Sequence, residues 1–275
     1  MTKAFFILFV FLFLALSISV EAQIRGSGLP LISAHRGASR VAPENTKASF
    51  LKAIAAGTDF IEIDVRTAAD GEQVIVHDKS LQRTTGLNAL VSKTDYTTIK
   101  DLSAGRWFGE QFSDQTVPTL EEICALVNSE NKRRSNEVKL YVDCKEIDPS
   151  RVVFVLKKYE LLDSAVFYGD IPTLKSIKQI FSSARLMPSF PGTRQAEDVL
   201  KTMSLYAFDV PYAALDEKTV AYIHSKRIKV FSDLLGENDN PNSYRKAVAY
   251  DVDLIQTDDV DAVKKIYTEF ESQHK

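Results

Sequence analysis

From Leu31 onward, short apolar runs rich in β-branched residues alternate with segments whose apolar positions recur every three to four residues. The runs Leu31–Ala34, Phe60–Val65, Lys139–Cys144, Ser164–Tyr168, Ala184–Met187, Tyr206–Val210, Ile228–Phe231 and Asp253–Gln256 read as strands. Between them, Asn45–Ala56, Leu120–Asn128, Ser150–Tyr159, Thr173–Phe181, Ala196–Met203, Glu217–Ser225, Asn242–Ala249 and Val260–Gln273 read as helices. Strands alternating with helices imply parallel βαβ units, and about eight units in roughly 245 residues predict an α/β fold of the (β/α)₈ TIM-barrel type. An open doubly wound sheet is the competing arrangement. Against it, the first strand runs into His35-Arg36-Gly37, with one glycine where a dinucleotide-binding turn needs several.

One stretch breaks the rhythm. More than fifty residues separate the second strand from the helix at Leu120, including Val74–His77 and the polar, Thr-rich Ser80–Val117. A structureless loop of that length is unusual in a compact domain, so a small insertion after the second strand, a subdomain over residues 80–117, is expected on the barrel's catalytic face. It carries Trp107, the chain's one tryptophan, beside Phe108.

The N-terminus follows neither pattern. Lys3 precedes an apolar run from Ala4 to Val20, and Val20-Glu21-Ala22 offers small residues at the −3 and −1 positions of a cleavage site. These features predict a cleaved secretory signal peptide over residues 1–22 and export to the periplasm or medium. An uncleaved anchor helix is the rival reading, because the run approaches bilayer-spanning length. The remainder, 23–275, is expected to be a single domain with no stable membrane insertion. The 275 residues carry 34 Lys and Arg against 37 Asp and Glu, a net charge of −3, which argues against a nucleic-acid partner. Cys124 and Cys144 are too few for a disulfide scaffold and read as buried thiols.

Reactive groups of a parallel barrel belong at the C-terminal ends of its strands. The first strand ends at His35 and Arg36. The second reads Ile61-Glu62-Ile63-Asp64-Val65, and alternation puts Glu62 and Asp64 on one face. With the apolar set against the helices, both carboxylates face the interior, where like charges repel and desolvation is costly. On the next strand Asp143 and Lys145 share the inward face, giving a third carboxylate and a cation suited to a phosphate oxygen. One divalent metal ion, Mg²⁺ or Ca²⁺ with Mn²⁺ also possible, compensates the three carboxylates most simply. Ion pairs to Arg36, Arg66 or Lys145 are the alternative. Of four histidines, His224 on a helix and His274 in the tail read as surface residues. His35 and His77 stand at strand ends, where they could act as general acid and base or, less simply, ligate zinc. Arg36, Lys145 and a cation concentrated at one spot suit a phosphodiester substrate. A glycosidase would oppose two carboxylates across a cleft, whereas Glu62 and Asp64 at i and i+2 form a chelate.

Taken in order, Ala34-His35-Arg36-Gly37, Pro43-Glu44-Asn45-Thr46, Glu62-Ile63-Asp64-Val65, Val76-His77-Asp78, Leu81-Gln82-Arg83-Thr84-Thr85-Gly86 and Pro118-Thr119-Leu120-Glu121-Glu122 resemble the glycerophosphodiester phosphodiesterase family. The resemblance is dense over residues 31–146 and continues weakly to Gln256-Thr257-Asp258-Asp259. It implies a metal-dependent TIM barrel that hydrolyses glycerophosphodiesters to glycerol 3-phosphate and an alcohol. By position it implies a metal held by Glu62, Asp64 and Asp143, an acid–base pair of His35 and His77, Arg36 and Lys145 against the phosphate, and Glu44 in support. The insertion would shape the alcohol side. Related barrels act on sphingolipid or inositol diesters, and a non-catalytic diester-binding protein is a further alternative. Three departures stand out. Asp143 replaces the usual Glu, the seventh strand reads Val230-Phe231-Ser232-Asp233 where Trp-Thr-Val-Asn is common, and Phe190 and Pro211-Tyr212 suggest a rearranged aromatic lining.

Overall fold

A computed structural model describes residues 28–273. Residues 1–22, expected to be a signal peptide, and His274 lie outside them. Eight parallel strands form the sheet: β1 (Leu31–Ala34), β2 (Phe60–Thr67), β4 (Lys139–Glu146), β5 (Val166–Tyr168), β6 (Arg185–Met187), β7 (Ala207–Asp209), β8 (Lys229–Asp233) and β9 (Leu254–Thr257). A short β3 (Gln73–Ile75) pairs antiparallel with β2 at its edge. The hydrogen-bonded order is β6-β5-β4-β2-β1-β9-β8-β7. Bonds from Tyr206 N–H to Leu186 O and from Phe190 N–H to Asp209 O, with a bridge between Ser189 and Asp209, nearly close this order into a barrel.

The helices between strands start where the sequence offers caps. Thr46, Thr119, Asp148, Asp170, Asp216 and Asn240 each accept a hydrogen bond from a first-turn N–H, and proline occupies the first turn after Asp148, Asp170 and Asn240. Alternation along the strands sorts the core into two shells. Ile61, Ile63, Val65, Leu140, Val142 and Cys144 pack outward on the helices. Phe60, Tyr141, Val166, Met187, Ala207, Phe231 and Leu254 fill the barrel interior as an apolar floor. Cys124 and Cys144 are buried free thiols. The stretch after β2 carries short helical turns (Gln82–Thr85, Val91–Lys93, Tyr96–Ile99 and Glu110–Phe112) around a small core of its own that includes Val74, Leu81, Val91, Ile99 and Val117.

The loop after β1 is the tightest part of the frame. Arg36 and Asn45 adopt positive φ (54° and 57°), and between them Gly37 has φ 84°. A Cβ on Gly37 would lie 2.5 Å from Ser49 Oγ and 2.7 Å from the Ser49 carbonyl carbon. Glycine therefore lets the loop lie against the helix Lys47–Ala56, where Ser49 Oγ donates to the Arg36 carbonyl at 3.0 Å. Gly37→Ala is expected to lower the melting temperature by more than about 4 °C, since the left-handed penalty of about 1–2 kcal/mol adds to a backbone clash. Calorimetry checks this, and an unchanged transition would discard the close-approach argument.

Candidate active site

The site is built on β2 and β4. Their pleats send Glu62, Asp64, Asp143 and Lys145 inward, above the apolar floor. Asp64 and Asp143 are register partners, and oxygens of Glu62, Asp64 and Asp143 lie within 4.8 Å of one another. Glu62 is 2% exposed and Asp64 1%. Burial, followed by the charges of Asp64 and Asp143, pushes the Glu62 carboxyl well above the usual range. Burial raises Asp143 too, although Lys145 opposes it.

Protein donors relieve part of this repulsion. The Arg36 N–H donates to Glu62 Oε2 at 2.8 Å, and Asn45 Nδ2 donates to Asp64 Oδ2 at 2.7 Å. Arg36 Nε lies 3.4 Å from Asp64 Oδ2, and Lys145 Nζ lies 2.5 Å from Asp143 Oδ2 and 3.4 Å from Asp64 Oδ1. The ion pairs weighed as an alternative to a metal are therefore present for Arg36 and Lys145. Arg66 instead pairs with Glu146 at 2.9 Å and donates to the His77 carbonyl. Among the described residues, the backbone N–H of Arg36 is the one hydrogen-bond donor to Glu62. Three converging hard oxygen donors, one without a side-chain cation of its own, fit a divalent metal ion.

Both strand-end histidines have an aspartate at Nδ1. His35 Nδ1 lies 2.8 Å from Asp258 Oδ1, and Ser39 Oγ donates to the same oxygen at 2.8 Å. Burial works to raise the Asp258 carboxyl, but these two partners outweigh it and hold the group low. His77 Nδ1 lies 2.7 Å from Asp78 Oδ1. Arg83 Nε donates to Asp78 Oδ2 at 2.7 Å and, with the His77 ring, holds that carboxyl low. The Arg83 guanidinium also forks onto Glu44 at 2.7 and 2.8 Å, and Arg36 Nη1 reaches Glu44 at 3.0 Å. Glu44 thus links the two arginines and sits outside the carboxylate cluster. The bond from Val76 N–H to Asp64 O draws His77 to the same rim.

Sequence reasoning gave no role to Asn45, Asp78, Arg83 or Asp258, though each stands in or beside a quoted motif. It also missed Asp209 and Asp233, which end β7 and β8 inside the barrel. Burial and the charge of Asp233 raise the Asp209 carboxyl well above the usual range, and burial raises Asp233 to about 6. Two expectations are corrected. Phe190 packs outside the sheet on Phe208 and Tyr222, so it does not line the mouth. His224 is half-buried, with Nε2 2.8 Å from Asp253 at the opposite end of the barrel, because Asp253 also gathers Lys229 and the Val230 N–H there. From Asp143 and Lys145 a groove of about 530 Å³ runs outward past Tyr168, Ser189, Pro188 and Pro191.

A raised carboxylate stabilises the fold only while protonated, so its contribution is present below the unfolded pKa and lost as pH rises through the folded one. The metal-free protein is therefore expected to gain stability from Glu62→Gln as pH rises. The difference in melting temperature should be near zero at pH 4 and reach about 2–4 °C at pH 7, with metal-induced stabilisation lost in the variant. A variant no more stable than wild type at pH 7 would contradict the buried repulsion.

Residues 35–262 match the Glycerophosphoryl diester phosphodiesterase family. The glycerophosphodiester phosphodiesterase of Caldanaerobacter subterraneus is 35% identical over 140 residues, which span 50% of this chain and 56% of that relative. The crystal structure of glycerophosphodiester phosphodiesterase from Agrobacterium tumefaciens superposes with a TM-score of 0.76 at 25% identity, covering 86% of this chain and 100% of the other. An Oleispira antarctica phosphodiesterase, solved in complex with the product sn-glycerol-3-phosphate, superposes with a TM-score of 0.76 at 26% identity, covering 88% and 97%.

Proposed function

Because this chain belongs to the glycerophosphoryl diester phosphodiesterase family, we propose that it hydrolyses glycerophosphodiesters to glycerol 3-phosphate and an alcohol in a metal-dependent reaction. The observation that carries the reading is the meeting of the Glu62–Asp64–Asp143 cluster with two histidines, each held at Nδ1 by an aspartate. A divalent cation held by those three carboxylates would supply positive charge to a phosphate oxygen and lower the pKa of a hydroxyl beside it. Mg²⁺, Ca²⁺ and Mn²⁺ all suit the oxygen donors.

The chain's own groups do the rest. Arg36 and Lys145, resting on the same carboxylates, take up the remaining charge of the phosphate. With Nδ1 engaged by a carboxylate, each histidine presents Nε2 to the cup. His35 accepts the proton of the glycerol 2-hydroxyl as that oxygen attacks phosphorus. His77, beside the insertion that borders the alcohol side, protonates the departing alcohol. Water then opens the cyclic phosphate with the two roles exchanged. Arg83 and Glu44 keep Asp78, and through it His77, in place.

The test is release of glycerol 3-phosphate from glycerophosphocholine, measured with chelator and with each of the three cations. Activity is expected to need a cation and to fall about 10²–10⁴-fold in His35→Ala and in His77→Ala. Asp258→Asn offers Nδ1 the wrong partner and is expected to cost about 10²–10⁴ in kcat with little change in melting temperature. Full turnover in chelator, or in either histidine variant, would discard the assignment. The run Ala4–Val20 behind Lys3 supports export with cleavage after Ala22. Intact-mass measurement of the exported protein is then expected to give a chain starting at Gln23, and a chain retaining Met1 would refute it.

A further inference from the structure

Two carboxylates at the bottom of the cup take no part in the steps above. Asp209 pairs in register with Phe231, and Asp233 lies two residues further along the neighbouring strand, so both enter the interior from one side, above the aromatic floor. Asp209 is 4% exposed. The Oδ1 atoms of both residues are shielded from solvent and have no hydrogen-bond partner among the described residues, and neither residue forms an ion pair there. The cations within electrostatic reach of Asp233 are engaged elsewhere, His35 by Asp258 and Lys145 by Asp143 and Asp64. A buried acceptor without a protein donor is costly, and a hydroxyl bound in the active-site cup would meet that cost.

The surroundings indicate which group. Asp233 feels the charges of both His35 and Asp143, so it faces the reaction centre. On the other side, Asp209 adjoins Ser189, whose hydroxyl meets Tyr168 Oη at 2.7 Å. The insertion that borders the departing alcohol follows β2, which stands across the nearly closed strand order from β7 and β8. The floor is then left to the half of the diester that keeps the phosphate. That half is small, uncharged beyond its phosphate, and bears hydroxyls. A hydroxyl donates to a carboxylate oxygen, which is the partner that both Oδ1 atoms lack.

We propose that Asp209 and Asp233 form the subsite that recognises the free hydroxyls of the polyol phosphate retained in the cleavage. This rests on the phosphodiesterase reading above and names what that reading leaves open. Both residues are specificity determinants, and neither moves a proton in the reaction.

Calorimetric titration of the metal-loaded protein with sn-glycerol 3-phosphate and with 1-propyl phosphate tests it, because the second ligand keeps the phosphate and loses both hydroxyls. Wild type is expected to bind glycerol 3-phosphate at least about tenfold more tightly than propyl phosphate. In Asp209→Leu and Asp233→Leu the ratio should fall toward one while propyl phosphate affinity changes less than about threefold. Asp233→Asn preserves a donor and an acceptor in the same shape and should retain most of the ratio. Equal binding of the two phosphates by wild type, or equal weakening of both in the leucine variants, would overturn the subsite. So would an Asp233→Asn enzyme that loses activity selectively on glycerophosphoethanolamine against glycerophosphoglycerol, since that outcome means the pair reads a cation. Binding of neither phosphate would overturn the phosphodiesterase reading along with it.

Discussion

Like charges held together in a dry interior are the constraint on which this molecule is arranged. Glu62, Asp64 and Asp143 approach within 4.8 Å because two adjacent strands leave them no other face to occupy. Everything nearby answers their repulsion. A backbone N–H from a left-handed Arg36, a carboxamide from a left-handed Asn45 and the ammonium of Lys145 all converge on them. The strain in the loop after β1 is understood in this light: unusual backbone geometry persists where the surroundings require it, and here it aims donors at carboxylates. The apolar floor beneath deepens the cost by excluding water, and so strengthens the site's hold on any cation it receives.

The periodicities of the chain sufficed for the barrel and for the inward direction of the cluster. Two-residue alternation is a strict rule, and Ile61, Ile63 and Val65 leave no doubt which face of β2 meets the helices. Strand-end position likewise picked His35 and His77 from four histidines. What stayed hidden depends on contacts that are distant in sequence. Asp258 reaches His35 across 223 positions, because the first and last strands are neighbours in the closed order. Arg83 joins Asp78 to Glu44 through a fork that no local pattern encodes. Asp209 and Asp233 end strands as many surface aspartates do, and only closure of the barrel turns them inward, burying Asp209 and half-burying Asp233. The misplacement of Phe190 has the same origin. It follows β6 by three residues, and its direction is set by the backbone bond to Asp209 across the seam.

The two histidines reach the same state by different routes. His77 takes its aspartate from the next residue, and an arginine fork stiffens that local turn. His35 relies on a carboxylate from the far end of the chain, steadied by Ser39. One arm is therefore a local device within the insertion's own framework, and the other is part of the barrel's closure.

That difference has a meaning for how the protein comes into being. The carboxylate cluster, His77 and its supports all lie before residue 146, in the part of the chain synthesised first. Asp258 comes last, in the turn after β9. The His35 ring is therefore fixed only in a chain whose final strand has docked beside the first. On the reading proposed above, the acid–base pair is completed by the last strand of the barrel to be synthesised.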